Sequence, residues 1–215
     1  MSVLPIPAVA SPRRSWRGVP SADRDAARRI LLLDAAFDLL GTEGWSATTV
    51  RGVCRATQLH PRYFYQAFED LDDMLVSVFD GLIDQLADEV TAAVANAGAD
   101  SGARVRAGLA AVAHFVADDR RRARILYAEA LGHAGLARRR LDSMQRFVDA
   151  LSGGGNATGA GAGAQVAAHI AVGGFTSVLV AWLDGRVALT LDELVDDATV
   201  LLVPMLPPAP VRGGR

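Results

Sequence analysis

The stretch SATTVRGVCRATQLHPRYFYQAF, residues 46–68, concentrates the side chains able to do recognition chemistry. Arg51 and Arg62 are permanent cations, and an arginine fork matches either a phosphate or the O6/N7 edge of guanine. His60, Pro61, Tyr63 and Gln66 surround Arg62, and Pro61 and Tyr63 can touch thymine methyls or the backbone. This is the chemistry of nucleic-acid recognition, in which no covalent bond is made or broken. Catalytic chemistry finds little support. All 22 basic residues are arginine, which excludes a P-loop, Schiff-base or kinase-type lysine. Cys54 is the one cysteine, so there is no internal disulfide and no cysteine-rich zinc site. It reads as core packing in a chain suited to the cytoplasm. His114, His133 and His169 share no metal-ligand spacing. No nucleophile–base pair or phosphate loop is visible, so we expect no enzyme, no catalytic residue, no cofactor and no metal.

Three helices must position the recognition side chains. The first runs from about 22 to 41, with Ile30, Leu33, Phe37 and Leu40 on one face and Gly44 just beyond its end. A short helix over about 49–56 starts at Thr48 as N-cap and turns Val50, Val53 and Cys54 inward. Residues 57–60 form a turn anchored by Leu59. Pro61 opens a third helix ending near Phe68, its inner face Phe64 and Phe68. Two short helices joined by a four-residue turn in a basic segment form a helix-turn-helix, whose second helix lies in the DNA major groove.

The remainder also reads as helical. Alanine and leucine dominate, β-branched runs are few, and 51% of residues are hydrophobic with 21% charged. Asp70 and Asp73 open a helix to about Asn96. Further helices follow at about 101–117, 119–132 and 135–152. The stretch 153–163 holds six glycines and reads as a mobile connector. An apolar helix spans about 164–185, and a last one opens with a Thr190/Glu193 capping box and ends at Pro204. The fold class is therefore all-α, with about nine helices. Residues 1–21 read as a flexible arm, 22–68 as the DNA-binding domain, 69–206 as a ligand-binding and dimerisation domain, and 207–215 as a flexible tail. Residues 1–68 carry nine arginines against five acidic residues, whereas 69–203 carry eleven against nineteen, so a polyanion should meet the first third. Arg120–Arg122 and Arg138–Arg140, inside the acidic part, read as solvated, salt-bridged faces. VLPIPAVA near the start is too short and too proline-rich for a secretory signal. Residues 164–183 carry no formal charge, but their alanine, glycine, Gln165, His169, Thr176 and Ser177 suit a buried interface helix better than a membrane span.

Residues 25–75 resemble the TetR family of bacterial transcriptional regulators, through LLLDAAFDLLGTEGWSATTV, LHPRYFYQAF and DLDDML; Tyr65-x-x-Phe68 is the most specific piece. A second stretch, GGFTSVLVAWLDGRVALTLDELVDDATVLL at 173–202, resembles the family's two C-terminal helices, which typically form the homodimer interface. The resemblance implies that Tyr65 contacts a phosphate, and that Thr48 and Thr49 bring hydroxyls and helix N-terminal amides to another. Two positions depart from the family pattern: Thr57-Gln58 replaces Ala-Gly in the turn, and Leu71 replaces a lysine.

The expected DNA-binding residues are thus Thr48, Thr49, Arg51, His60, Pro61, Arg62, Tyr63 and Tyr65. The expected dimer interface is Gly173, Gly174, Ser177, Val178, Trp182, Leu194 and Leu201, with Phe175 adding buried area. The expected pocket is Leu82, Leu86, Phe115, Tyr127, Met144, Phe147 and Phe175, with His114 or His169 as a polar handle, for a small, neutral and mainly apolar effector. The expected function is a ligand-responsive regulator, a homodimeric repressor released from a palindromic double-stranded DNA operator, with no membrane partner. The alternative is a helical ligand-binding or protein-interaction module that has lost sequence-specific DNA binding.

Overall fold

The computed structural model describes residues 21–152 and 162–206. Among these every regular element is helical. The arm, most of the glycine-rich connector and the tail lie outside the described residues. The first half comprises α1 (Ser21–Thr42), α2 (Val50–Thr57) and α3 (Pro61–Ala67), with a 3-10 turn at Trp45–Ala47. The second half comprises α4 (Leu71–Asn96), α5 (Ser101–Ala117), α6, α7 (Ala134–Leu151), α8 (Ala162–Leu183) and α9 (Leu191–Leu202). Helix α6 runs through three pieces, Arg120–Ala123, a π-helical stretch Arg124–Glu129, and Ala130–Gly132.

Short polar side chains set where the helices begin. Asp70 accepts from Asp73 N, Asp100 from Ala103 N and Asp119 from Arg121 N, each satisfying an amide that the helix leaves unpaired. The Asp70/Asp73 pair is a displaced capping box, because Asp73 accepts from Glu69 N rather than from Asp70 N. The Thr190/Glu193 box is complete. The N-cap of α2 is Thr49, one residue after the expected Thr48. The Thr48 hydroxyl is buried and donates to Gly44 O at 2.8 Å, so Thr49 is left to accept from Gly52 N at 3.0 Å.

A single core runs through the molecule. Leu32, Ala36 and Leu40 of α1 meet Val53 and Cys54 of α2 and Phe64 and Phe68 at α3. The α2 and α3 faces are those the spacing predicts, but the α1 face is rotated from the expected one: of Ile30, Leu33, Phe37 and Leu40 only Leu40 is fully buried, Leu33 and Phe37 pack at the core's edge, and Ile30 is 55% exposed. Met74, Leu75, Val78, Phe79, Leu82 and Leu86 of α4 continue it into the second half, where Phe115, Ile125, Leu136, Phe175, Leu179 and Leu194 close it. Helix α4 packs along α5, α5 along α9, and α7 along α8. By length and composition α8 could cross a membrane. Here it packs Ala168, Ala171, Phe175 and Leu179 into the core and leaves Val166, Ile170 and Val178 exposed.

Candidate nucleic-acid interface and effector cleft

Helix α3 presents its first turn outward because its apolar residues are pinned from behind. Phe64 is fully buried, Phe68 nearly so, and their rings stand 5.6 Å apart. Arg29 of α1 ties the end of α3 to α4: its guanidinium donates to Ala67 O at 2.5 Å and to Ser77 Oγ at 3.0 Å, and lies 4.1 Å from the centre of the Phe68 ring. Nothing in the spacing of α1 distinguishes Arg29 from its neighbours, so sequence reasoning missed this anchor. Pro61 occupies the first helical position, where its missing N–H is no loss. His60 caps α3, its Nδ1 accepting from Arg62 N at 3.2 Å, and the residue is exposed.

Thr49, Arg51, His60, Pro61, Arg62 and Tyr65 are all exposed on the α2–α3 unit, and Tyr63 is half-buried. Tyr65 is 62% exposed although its ring packs edge-on against Phe64. Arg62 donates to the Tyr63 hydroxyl at 2.5 Å and stacks over the same ring, with Arg28 of α1 also 4.5 Å from that ring's centre. The hydrogen bond and charge of Arg62 hold the Tyr63 phenol below its ordinary value. Thr48 differs from the expectation. Only 3% exposed, its hydroxyl is spent on Gly44 O and is not presented outward. Gln58 ends α2 at φ 57°, ψ 24°, the left-handed region that a glycine would occupy without strain.

The α1–α2 turn is gripped from the second half. Gly44 has φ 87°, and a Cβ there would stand 2.6 Å from an Arg124 nitrogen and 2.8 Å from Glu129 Oε1. Arg124 donates to Thr42 O at 2.7 Å and pairs with Glu129 at 3.1 Å, while Glu129 Oε2 accepts from Trp45 N at 3.0 Å. His133 packs edge-on to Trp45 and its Nε2 lies 3.3 Å from Asp72. Arg121 pairs with Asp38 and Asp119, which pulls the Asp119 carboxyl below its ordinary range. A regular helix was expected across 119–132. The π-helical stretch replaces it because residues five apart face away from each other on an α-helix, whereas the wider turn lets Arg124 and Glu129 meet.

A half-open cleft of about 240 Å³ lies between α6, α7 and α8, lined by Tyr127, Arg140, Met144, Gly173, Thr176, Ser177, Val180 and Arg186. Burial pushes the Tyr127 phenol up to about 12, opposed by the charge of Arg140. Of the expected pocket residues, Tyr127 and Met144 line this cleft. Leu82, Leu86, Phe115 and Phe175 are buried in the core, and Phe147 packs against it. His114 lies exposed beside Asp118 at 3.8 Å, and His169 is exposed on α8, so neither is a handle in the cleft. Of the expected interface residues, Gly174, Ser177, Val178 and Leu201 are exposed and Gly173 is half-buried. Trp182 is half-buried and donates to Leu189 O at 2.7 Å. Leu194 is 2% exposed and Phe175 6%, so both face the core of their own chain rather than a partner. Helical spacing alone could not separate the two apolar faces of α9.

Residues 32–78 match the family model described as bacterial regulatory proteins, tetR family. No curated protein matches the chain significantly in sequence. Among solved structures, a TetR family transcription regulator from Marinobacter aquaeolei VT8 superposes with a TM-score of 0.64 at 19% identity, covering 86% of this chain and 98% of that one. The transcriptional regulator FadR from Bacillus subtilis, in complex with stearoyl-CoA, superposes with a TM-score of 0.68 at 15% identity, covering 83% and 99%. The multidrug binding protein EbrR, complexed with imidazole, gives 0.64 at 17% identity, covering 86% and 98%. At such identities the likeness is one of fold. With the helix-turn-helix of α2 and α3, the findings lead to one conclusion: residues 32–78 are similar to the tetR family model, and the chain has the fold of the solved TetR-family transcriptional regulators.

Proposed function

We propose that this protein is a ligand-responsive, sequence-specific DNA-binding regulator, a homodimeric repressor released from a palindromic operator by a small, mainly apolar effector. The observation that carries it is the outward first turn of α3, with His60, Pro61, Arg62 and Tyr65 exposed over a buried Phe64–Phe68 back. Arg62 reads guanine once it leaves Tyr63, while Thr49, Arg51 and Tyr65 hold the backbone. Residues 22–68 form the reading head and 69–206 the effector and dimer body, working in the cytoplasm where DNA is met. The exposed stripe of Val166, Ile170, Gly174, Ser177 and Val178 on α8, with Val200 and Leu201 on α9, supports a two-fold four-helix interface. The cleft at Tyr127 supports an effector site, and similar folds have been solved with stearoyl-CoA and with imidazole. An effector there acts on the reading head through α4, which packs on α1, and through Arg124 and Glu129 of α6, which hold the turn before α2.

The test is a titration of a fluorescent DNA fragment from the protein's own upstream region. Affinity should fall steeply with salt, with a log–log slope of about −0.9 per neutralised phosphate. Arg62→Ala should relax preference at one base pair per half-site, costing about 1–3 kcal/mol. Salt-independent binding refutes the reading. No binding to any upstream fragment favours the module that has lost DNA recognition.

A further inference from the structure

We propose that the cleft between α6, α7 and α8 takes an amphiphile with an anionic head, held by Arg140 beside the Tyr127 hydroxyl, its chain lying along Met144, Gly173 and Val180. The inference rests on the effector role given to this cleft above and names the chemistry of its occupant, replacing the neutral effector expected from the sequence.

The lining holds two guanidinium groups and no carboxylate. Arg186, at the mouth, is exposed and already pairs with Asp184 at 2.7 Å. Arg140 is half-buried and pairs with no carboxylate among the described residues; of the other α7 arginines, Arg139 pairs with Asp80 at 2.6 Å and Arg146 with Asp84 at 3.5 Å, while Arg138, likewise without a carboxylate, is exposed to solvent and outside the cleft. Residues 69–203 hold nineteen acidic side chains against eleven arginines, so counter-ions are abundant in this half of the chain. A half-buried cation left without one, facing a cavity, is stabilised by whatever anion enters. The neighbouring polar atoms agree. Tyr127 lines the same cleft, and burial pushes its phenol up to about 12, so the hydroxyl keeps its proton and can donate it to an anion. Thr176 adds a hydroxyl. A cation plus hydroxyl donors suits a carboxylate or a phosphate, repels an ammonium, and leaves the guanidinium unpaired against an alcohol. The rest of the lining is apolar: a Cβ on Gly173 would stand 4.0 Å from the Met144 methyl, and the missing side chain keeps the floor open. At roughly 30 Å³ per water-sized group, the 240 Å³ of the cleft holds a short chain rather than a large ring system.

Isothermal titration of the full chain with octanoate, octyl phosphate, octan-1-ol and octylammonium tests this. At least one anion should bind saturably and about ten-fold or more tighter than the alcohol and the ammonium, and the ratio of the two anions tells a carboxylate site from a phosphate site. Arg140→Gln should reduce that preference to within about three-fold, Arg140→Lys should keep most of it, and Arg138→Gln, on the same helix outside the cleft, should leave it unchanged. Equal affinity for octan-1-ol, saturation by none of the four, or an intact preference in Arg140→Gln overturns the proposal. Operator binding is measured on the same samples. A wild type that binds an anion through Arg140 but no operator DNA confirms the cleft and refutes the regulator, and operator binding with no anion preference does the reverse.

Discussion

At the scale of single residues, the helix-turn-helix is held by a few committed side chains, and one of them is strained. Gln58 adopts the left-handed conformation that costs a side chain about 1–2 kcal/mol. Glycine would relieve that strain while adding unfolded-state entropy of about 0.5–1 kcal/mol. Gln58→Gly should therefore stabilise the fold by up to about 1 kcal/mol in urea denaturation; a lower midpoint would show that the Gln58 side chain contributes packing worth more than the strain. Asp119 illustrates a charge effect. Its carboxyl is held below the ordinary range by Arg121, while its oxygen caps α6. Because the folded pKa lies below the unfolded one, the ion pair's contribution is fully present above the unfolded value and is lost as pH falls through the folded value. Asp119→Asn keeps a capping oxygen and removes the charge. Its melting temperature should trail the wild type at pH 7, and the gap should close as pH falls below the ordinary carboxylate range. A gap independent of pH would assign the loss to packing instead.

At the scale of elements, the two halves meet because α1 and α6 approach unusually closely. A Cβ on Gly41 would stand 2.3 Å from Arg121 Cβ and 3.0 Å from its Cα, a clash that side-chain rotation cannot relieve. Gly41→Ala should push α6 from α1, disturb the Arg121–Asp38 pair, and cost about 1–3 kcal/mol as an overpacked contact. Thermal melting measures the cost, and operator titration of the same variant shows whether the altered seat of α1 reaches the reading head. A melting temperature equal to wild type would mean that the helices separate freely. Gly41 lies inside an otherwise ordinary amphipathic helix, so the sequence offers a glycine but not the neighbour that requires it. The same holds for the π-helical stretch of α6: an Arg and a Glu five apart announce nothing until the Thr42–Trp45 turn lies beside them.

At the scale of the whole molecule, the decisive feature is which apolar side chains the single chain leaves uncovered. Val200 and Leu201 on α9 are 73% and 70% exposed, whereas Leu194, two turns earlier, is buried. Leu201→Glu should convert a dimer to a monomer in multi-angle light scattering with helicity retained. Leu194→Ala should instead cost about 2–5 kcal/mol of stability as a core truncation. A monomeric wild type, or a dimer unaffected by Leu201→Glu, removes α9 from the interface.

The all-helical class and most element boundaries were already legible in the sequence, because they depend on neighbours three or four residues apart: apolar periodicity, capping residues such as Asp70 and Thr190, and Pro61 at a helix start. So was the inward face of the helix-turn-helix, Val53, Cys54, Phe64 and Phe68, since a short helix has only one face to bury. What only the tertiary structure decided depends on neighbours far apart in the chain. Thr48 turned inward because Gly44 O awaited its hydroxyl. Leu194 and Phe175 joined the core because α5 and α7 covered them, while an equally apolar Leu201 was left outside. The cleft assembled Tyr127, Arg140 and Gly173 from three helices, and it excluded His114 and His169 although their residue types suited it as well. Local pattern sets the direction of each side chain on its helix, but which direction meets protein, cavity or water is settled only when the helices pack.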